Sequence, residues 1–444
     1  MTQTADVREY IQTVARELPE AKLALAASVC FSLCVLTFLI SIAASQIFFA
    51  LAGVLYFAHL LWANPKPRID FPPVKLPLAF FCGWTVISVL FAGYPDAGGF
   101  AIRKLTLFLI LLFTVNLIVT GRHLVFLFKA LFVEAAVAGI VGAAQFIKQY
   151  EWVRATHPGH IYMYMTITRI TGFQGHWMNF GGQQMLVFTA MLAFLLLSAR
   201  KREATEQQPD AGGKRRRWFA VWWVILAIVF ISILLNLTRG VWLGCFVGAI
   251  YVLARWRAKW LWALPVLVAI SILAAPRMLR RREESVLHPR RDTSLAERFE
   301  MWGVGWRMIL KHPLVGVGPD NIPAVYDLYM PPGKTPIVGY HDHLHNNFVQ
   351  YAAERGLPCL AAWIWLVVAL LWRCVKVRRR AANLRWVADA AIAAWIAMIV
   401  EGTFEFSFGS SLVLMLFLFV IAAPFVREQS SAETMPASAL SPEK

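Results

Sequence analysis

The chain has 444 residues, 59% of them hydrophobic and only 16% charged, with a formal net charge of +17. A soluble domain carries roughly 45–50% apolar and about 25% charged residues, so a soluble enzyme is excluded. The apolar residues gather in runs long enough to cross a ~30 Å hydrocarbon core as helices, and a membrane barrel, whose strands alternate over ~10 residues, is excluded as well.

In chain order, the first 20 residues are polar and mixed in charge (Arg8, Glu9, Arg16, Glu17) and show no cleavable signal peptide. They read as a short cytoplasmic lead-in or an interfacial helix. Apolar spans are expected at 22–42, 44–63, 74–93, 100–120, 123–147, 180–199, 218–236, 239–255, 257–274, 346–372, 384–402 and 409–426. The predicted fold is all-α, a polytopic membrane protein with about twelve transmembrane helices.

Lys and Arg concentrate at 200–217, 255–259 and 373–385. Twelve spans put these three loops on one side, which the positive-inside rule makes cytoplasmic. Residues 94–97, 148–179, 236–239 and 275–345 then face outward. Because the basic charge follows topology and forms no continuous basic face, nucleic acid is not expected as a partner. The six cysteines lie in or at the ends of apolar spans and read as small packing residues.

The expected division is 1–274, spans one to nine with outer loop 148–179; 275–345, a helical periplasmic loop subdomain; 346–427, spans ten to twelve; and 428–444, a flexible cytoplasmic tail. Segment 200–217 reads as a flexible linker. Within 275–345 a helix is predicted from Ser294 to Leu310, opening at Thr293 or Ser294 with Glu297 in the capping-box position. The same loop carries Arg277, Arg280, Arg281, Arg282, Arg290, Arg291, Arg298 and Arg307. These call for phosphates or lipid headgroups, although 277–291 also reads as a solvated helix end.

Three outward positions point to one pocket: Arg169 before span six, Arg239 in the turn between spans seven and eight, and His345 at the start of span ten. A guanidinium in apolar surroundings is costly unless it meets an anion, and its planar fork suits phosphate oxygens. Snorkelling to headgroups is the other reading for Arg239, and a loop salt bridge for Arg169. His341, His343 and His345 alternate, so they share a face on an extended segment, whereas on a helix only His341 and His345 align. A neutral imidazole can accept a proton at pH 7. General base, metal ligand and structural hydrogen-bonder all stay open from the residues alone.

The stretch from His345-Asn346-Asn347 through Glu354-Arg355-Gly356-Leu357-Pro358 resembles the HN-x-x-L-x-x-x-x-E-x-G-x-x-G signature of the O-antigen ligase and polymerase superfamily. Arg298 to Trp302, followed by His312-Pro313-Leu314-Val315-Gly316-Val317-Gly318-Pro319-Asp320-Asn321, is similar to that family's R-x-x-x-W and HPLxGxGxxN run. Thr168 to Gly175 and Thr238-Arg239-Gly240 match its R-x-x-G and S/T-R-G elements. The four pieces stand in family order across nearly the whole chain, although the family usually shows fewer histidines than the His-x-His-x-His found here.

The resemblance implies a GT-C glycosyltransferase of the inner membrane with a periplasmic site and no metal or other cofactor. Its donor is a glycan on undecaprenyl diphosphate, and the compact, basic outer loop points to the lipid A-core oligosaccharide as the acceptor. Arg169 and Arg239 then contact the donor diphosphate, and His345 is the base of an inverting transfer. Arg298, Asn346, His343 and His341 are expected to bind substrate, and Arg277, Arg281 and Arg290 to dock a phosphorylated acceptor. The alternatives are an O-antigen polymerase or protein O-oligosaccharyltransferase of the same superfamily, and a transporter. A transporter predicts ionisable groups within spans, for which Glu134, Glu401 and Glu405 are the candidates.

Overall fold

The structure, a computed structural model, describes residues 19–92, 98–203, 212–262, 293–333, 342–380 and 384–426. Among these residues there is no strand. In chain order the helices are α1 (Pro19–Val35), α2 (Ile42–Trp62), α3 (Lys75–Phe91), α4 (Gly99–Leu105) and α5 (Leu109–Leu117), the last two joined through a 3₁₀ turn at Thr106–Phe108. Then come α6 (Gly121–Thr156), α7 (Ile161–Ile167), α8 (Trp177–Glu203), α9 (Gly212–Leu235), α10 (Arg239–Arg257), α11 (Thr293–Lys311) and α12 (Ile322–Val325). The last three are α13 (Asn347–Arg380), α14 (Arg385–Glu401) and α15 (Ser411–Ala422).

Among the described residues six stretches are long and apolar enough to cross a membrane: α2, α4 with α5, α6, the apolar part of α8, α10 with its 3₁₀ extension, and α13. Four shorter apolar helices accompany them at Lys22–Val35, Lys75–Phe91, Phe219–Leu235 and Ser411–Phe425. The chain is therefore a multi-pass helical membrane protein.

A helix apolar all round belongs inside a bundle, and one with a free apolar face belongs against lipid. The apolar window of α8 is 94% buried, whereas that of α2 is only 28% buried, which sets α8 at the centre and α2 at the lipid margin. From Leu412 to Ala422 every residue of α15 is buried. The helix α14 packs against α8, α10, α13 and α15. A second, smaller core joins Met301, Val304 and Met308 of α11 to Ile322, Val325, Leu344 and Ala353.

Three departures from the expected spans have physical causes. The span expected at 22–42 is helical only to Val35, and its last residues unwind. Their carbonyls are met by side chains from far along the sequence: Gln183 donates to Phe38 O and Gln174 to Leu39 O, each at 2.8 Å. Non-helical backbone at membrane depth persists where protein satisfies it. The helix α6 runs to Thr156, so the outer loop expected from 148 begins as helix.

The third departure is a break in α13 at Gly356, which has φ 80°. A Cβ there would run into the Leu314 carbonyl, and Pro358 beyond it offers no N–H. The His312–Asn321 run fills the break: Val317 and Gly318 N–H donate to Ala353 O and Glu354 O, and Leu357 N–H to Pro313 O, at 2.8–2.9 Å. Arg277, Arg281, Arg290 and His341 lie outside the described residues, as do the lead-in 1–18, loop 94–97, most of the span expected at 257–274, and the tail.

Candidate active site

The site is assembled from four segments at one end of the bundle. The first is the turn between α9 and α10. Leu237 there is fully buried with φ 57°, and Thr238 is the N-cap before Arg239. The fully buried Asn236 donates from Nδ2 to Ile170 O at 3.2 Å and to Trp177 O at 3.1 Å. One amide thus ties the turn bearing Arg239 to the loop bearing Arg169.

That loop is the second segment. Gln145 of α6 accepts from Thr171 and Gly172 N–H at 3.0 and 2.9 Å and donates to Gly172 O at 2.8 Å. Gly172 has φ 57°, and a Cβ on it would collide with the Phe180 ring. The loop fixes Arg169, which donates from Nε to Thr166 O at 2.7 Å and reaches Thr238 Oγ1 at 3.5 Å. Its guanidinium lies 3.9 Å from the centroid of the Trp177 ring.

The third segment opens α13. His345 sits at φ 47°, a left-handed backbone that an L-residue holds only where its surroundings enforce it. Asn346 enforces it on one side: its Oδ1 accepts from Phe348 and Val349 N–H at 2.8 and 3.0 Å, the N-cap geometry. Its Nδ2 donates to Thr403 O at 2.9 Å. Asn347 N–H donates to Gly402 O at 2.8 Å, locking the helix start to the fourth segment, the 401–410 turn.

Glu405 of that turn is the centre of the arrangement, with a side chain 1% exposed. Its Oε2 accepts from His345 Nδ1 at 2.7 Å, and its Oε1 accepts from an Arg298 terminal nitrogen at 2.5 Å. Arg298 Nε also donates to Phe404 O at 3.0 Å. Burial alone would raise the Glu405 carboxyl, but Arg298 and then His345 hold it down to about 2. An ionised carboxylate only accepts, so the proton between them belongs to His345 Nδ1, and Nε2 is the basic atom of the ring.

The His343 ring stands edge-on to His345, centroids 4.3 Å apart. Burial, then His345, lower His343 to about 4, so it is neutral at pH 7.

The segments meet. Gly240, next to Arg239, packs against Glu401 and Phe404, which puts the Arg239 turn on the turn that carries Glu405. The His176 ring lies within electrostatic reach of Glu405, Arg169 and His345 together. Of the residues singled out from the sequence, His345 and Arg298 are joined through Glu405, Asn346 and His343 flank them, and Arg169 touches the Arg239 turn. Among the described residues no three His, Cys, Asp or Glu side chains are grouped to hold a metal ion.

Three residues of this site were not assigned to it from the sequence. Glu405 was a candidate only for a transporter, and Asn236 and His176 carried no role. An acidic residue at the outer end of an apolar span was the signal available for Glu405, since such a group needs a partner.

Among known proteins, a family model described as O-antigen ligase matches residues 224–364. The matched stretch includes Arg239, Arg298, His343, His345 and Asn346, and ends before Glu405. No curated protein matches the chain.

Proposed function

From a chain whose residues 224–364 carry the domain of the O-antigen ligase superfamily, we propose a membrane glycosyltransferase that moves a glycan from undecaprenyl diphosphate to the lipid A-core oligosaccharide. The reaction runs on the periplasmic face of the inner membrane, in a GT-C bundle of about twelve spans. The observation that carries this reading is the Arg298–Glu405–His345 network at the end of the bundle where Arg169 and Arg239 also lie. A buried carboxylate on one ring nitrogen is how a histidine is prepared as a base.

In this mechanism His345 Nε2 takes the proton of an acceptor hydroxyl as its oxygen attacks the anomeric carbon. The bond from that carbon to the diphosphate oxygen breaks on the opposite face, inverting the configuration. Undecaprenyl diphosphate leaves as an anion, and Arg169 and Arg239 stabilise the charge that develops on it. Glu405 holds the ring tautomer and offsets the imidazolium charge, while Arg298 keeps Glu405 ionised. Arg277, Arg281 and Arg290 supply positive charge for the phosphates of the acceptor core. Positioned acid–base help contributes about 10²–10⁴-fold, and one preorganised charge donor about 10²–10³-fold.

The outward clustering of polar groups favours an enzyme over a transporter, because Glu405 is bound by Arg298 and His345. The test is an assay with purified protein in lipid nanodiscs, undecaprenyl-diphosphate-linked glycan, and lipopolysaccharide lacking O-antigen. Glycan on the lipid A-core supports a ligase. Chain extension on the donor instead would make the protein a polymerase, and neither product would refute the reading.

A further inference from the structure

Far along α13 from His345, a groove of about 360 Å³ opens between α13 and the start of α3. That volume lies near the lower end of ligand-sized clefts, ~300–1,000 Å³. Leu76 and Pro77 form one wall; Trp365, Val368 and Trp372 form the other, and Arg373 closes one end. Leu76, Trp365 and Trp372 are half exposed, so the groove opens sideways to lipid. Trp365 and Arg373 follow Leu357, the first residue after the break in α13, by 8 and 16 positions (365 − 357 and 373 − 357). At 1.5 Å per residue that is about 12 and 24 Å of unbroken helix, so the groove runs toward the membrane boundary opposite the His345 site.

The charge at that boundary is one-sided. The Arg373 guanidinium lies 4.8 Å from the Trp372 ring centroid and Lys376 Nζ 3.4 Å from the same ring, which holds both cations at the groove mouth. Arg373 Nε is buried without a hydrogen-bond partner among the described residues, whereas Arg378, further along the helix, is bound by Asp389 at 2.5 Å. Across the groove α3 starts with the exposed Lys75, and its N-cap, Val74, offers no side-chain acceptor to the first N–H groups. A helix N-terminus favours an anion, and among the described residues no acidic side chain lines the groove.

We propose that this groove binds one anionic phospholipid of the leaflet opposite the His345 site. An acyl chain lies along the Trp365–Val368 wall, and the headgroup phosphate meets Arg373, Lys376 and the N-terminus of α3. Zwitterionic lipids present the same acyl chain but bring a cation to a mouth that is already cationic. Basic pockets between membrane helices recognise anionic headgroups in this way.

The test is native mass spectrometry of the intact protein in detergent, titrated with phosphatidylglycerol or phosphatidylcholine of the same chains. One phosphatidylglycerol per chain is expected to survive where phosphatidylcholine is lost. The double variant Arg373→Gln, Lys376→Gln should bind it about 30-fold more weakly, from ~1 kcal/mol per cation at ~1.4 kcal/mol per tenfold. Leu76→Trp, which fills the groove and leaves the charges in place, should also lose the lipid and serves if the double variant does not fold. Equal retention of the two lipids by the natural sequence, or undiminished phosphatidylglycerol binding in a folded variant of either kind, would overturn the proposal.

Discussion

Replacing Glu405 with glutamine removes one charge and almost no volume, so it isolates what the carboxylate does for His345. Both carboxylate oxygens are used, one by Arg298 at 2.5 Å and one by His345 at 2.7 Å. The site holds the acid at about 2 against its ordinary 4.5. At 1.36 kcal/mol per pKa unit, that difference favours the ionised form by about 3 kcal/mol, net of the burial that opposes it. The amide can accept on one side only. If its NH₂ faces His345, the ring must accept at Nδ1 and carry its proton on Nε2, the atom needed as base. The same change of tautomer in a serine-protease triad costs about 10⁴ in kcat, and positioned base catalysis as a whole contributes about 10²–10⁴. Glu405→Gln should therefore lower kcat by about 10²–10⁴ while KM for the donor stays nearly unchanged. Steady-state glycan transfer with purified protein measures both. A folded Glu405→Gln variant with a kcat within a few-fold of the natural protein would refute the role given to the carboxylate.

Other perturbations test other joints. Asn236→Ala removes the hydrogen bonds to Ile170 O and Trp177 O, ~0.5–1.5 kcal/mol each; it should release the Arg169 loop and raise KM for the donor, and an unchanged KM contradicts the clamp. Gly356→Ala puts a side chain on a residue with φ 80° and against Leu314 O, so thermal stability should fall sharply; a Tm equal to that of the natural protein would be the contrary result. Glu405 has a depressed pKa, so its stabilisation is full above about 4.5 and is lost as pH falls toward 2. The Tm gap between the natural protein and Glu405→Gln should therefore narrow across that window. His343 is also lowered, from 6.5 to about 4, so between those values the unfolded chain takes up a proton that the fold refuses, and stability declines with acid. His343→Asn should flatten the decline in Tm there, and an unaltered slope would assign it to other groups.

Much of the fold was legible because an apolar run of about 20 residues has few alternatives to a membrane helix. The runs at 44–63, 100–120, 180–199 and 239–255 correspond to α2, α4 with α5, α8 and α10. What could not be read depends on partners distant in sequence. The unwinding after Val35 relies on Gln174 and Gln183, 135 and 145 positions from the carbonyls they serve. The break in α13 could be suspected from Gly356 and Pro358, but the His312–Asn321 run that fills it comes from another segment. The same holds in the site. Arg298 and His345 were each visible in their own motif, yet Glu405 lies 107 and 60 positions from them, and no local pattern announces that one carboxylate serves both.

The most direct test of the central claim is glycan transfer by His345→Ala, purified and folded, in nanodiscs with the lipid-linked donor and O-antigen-free lipopolysaccharide. The account predicts transfer reduced by about 10²–10⁴, with donor binding retained through Arg169 and Arg239. Transfer at the rate of the natural protein would contradict it.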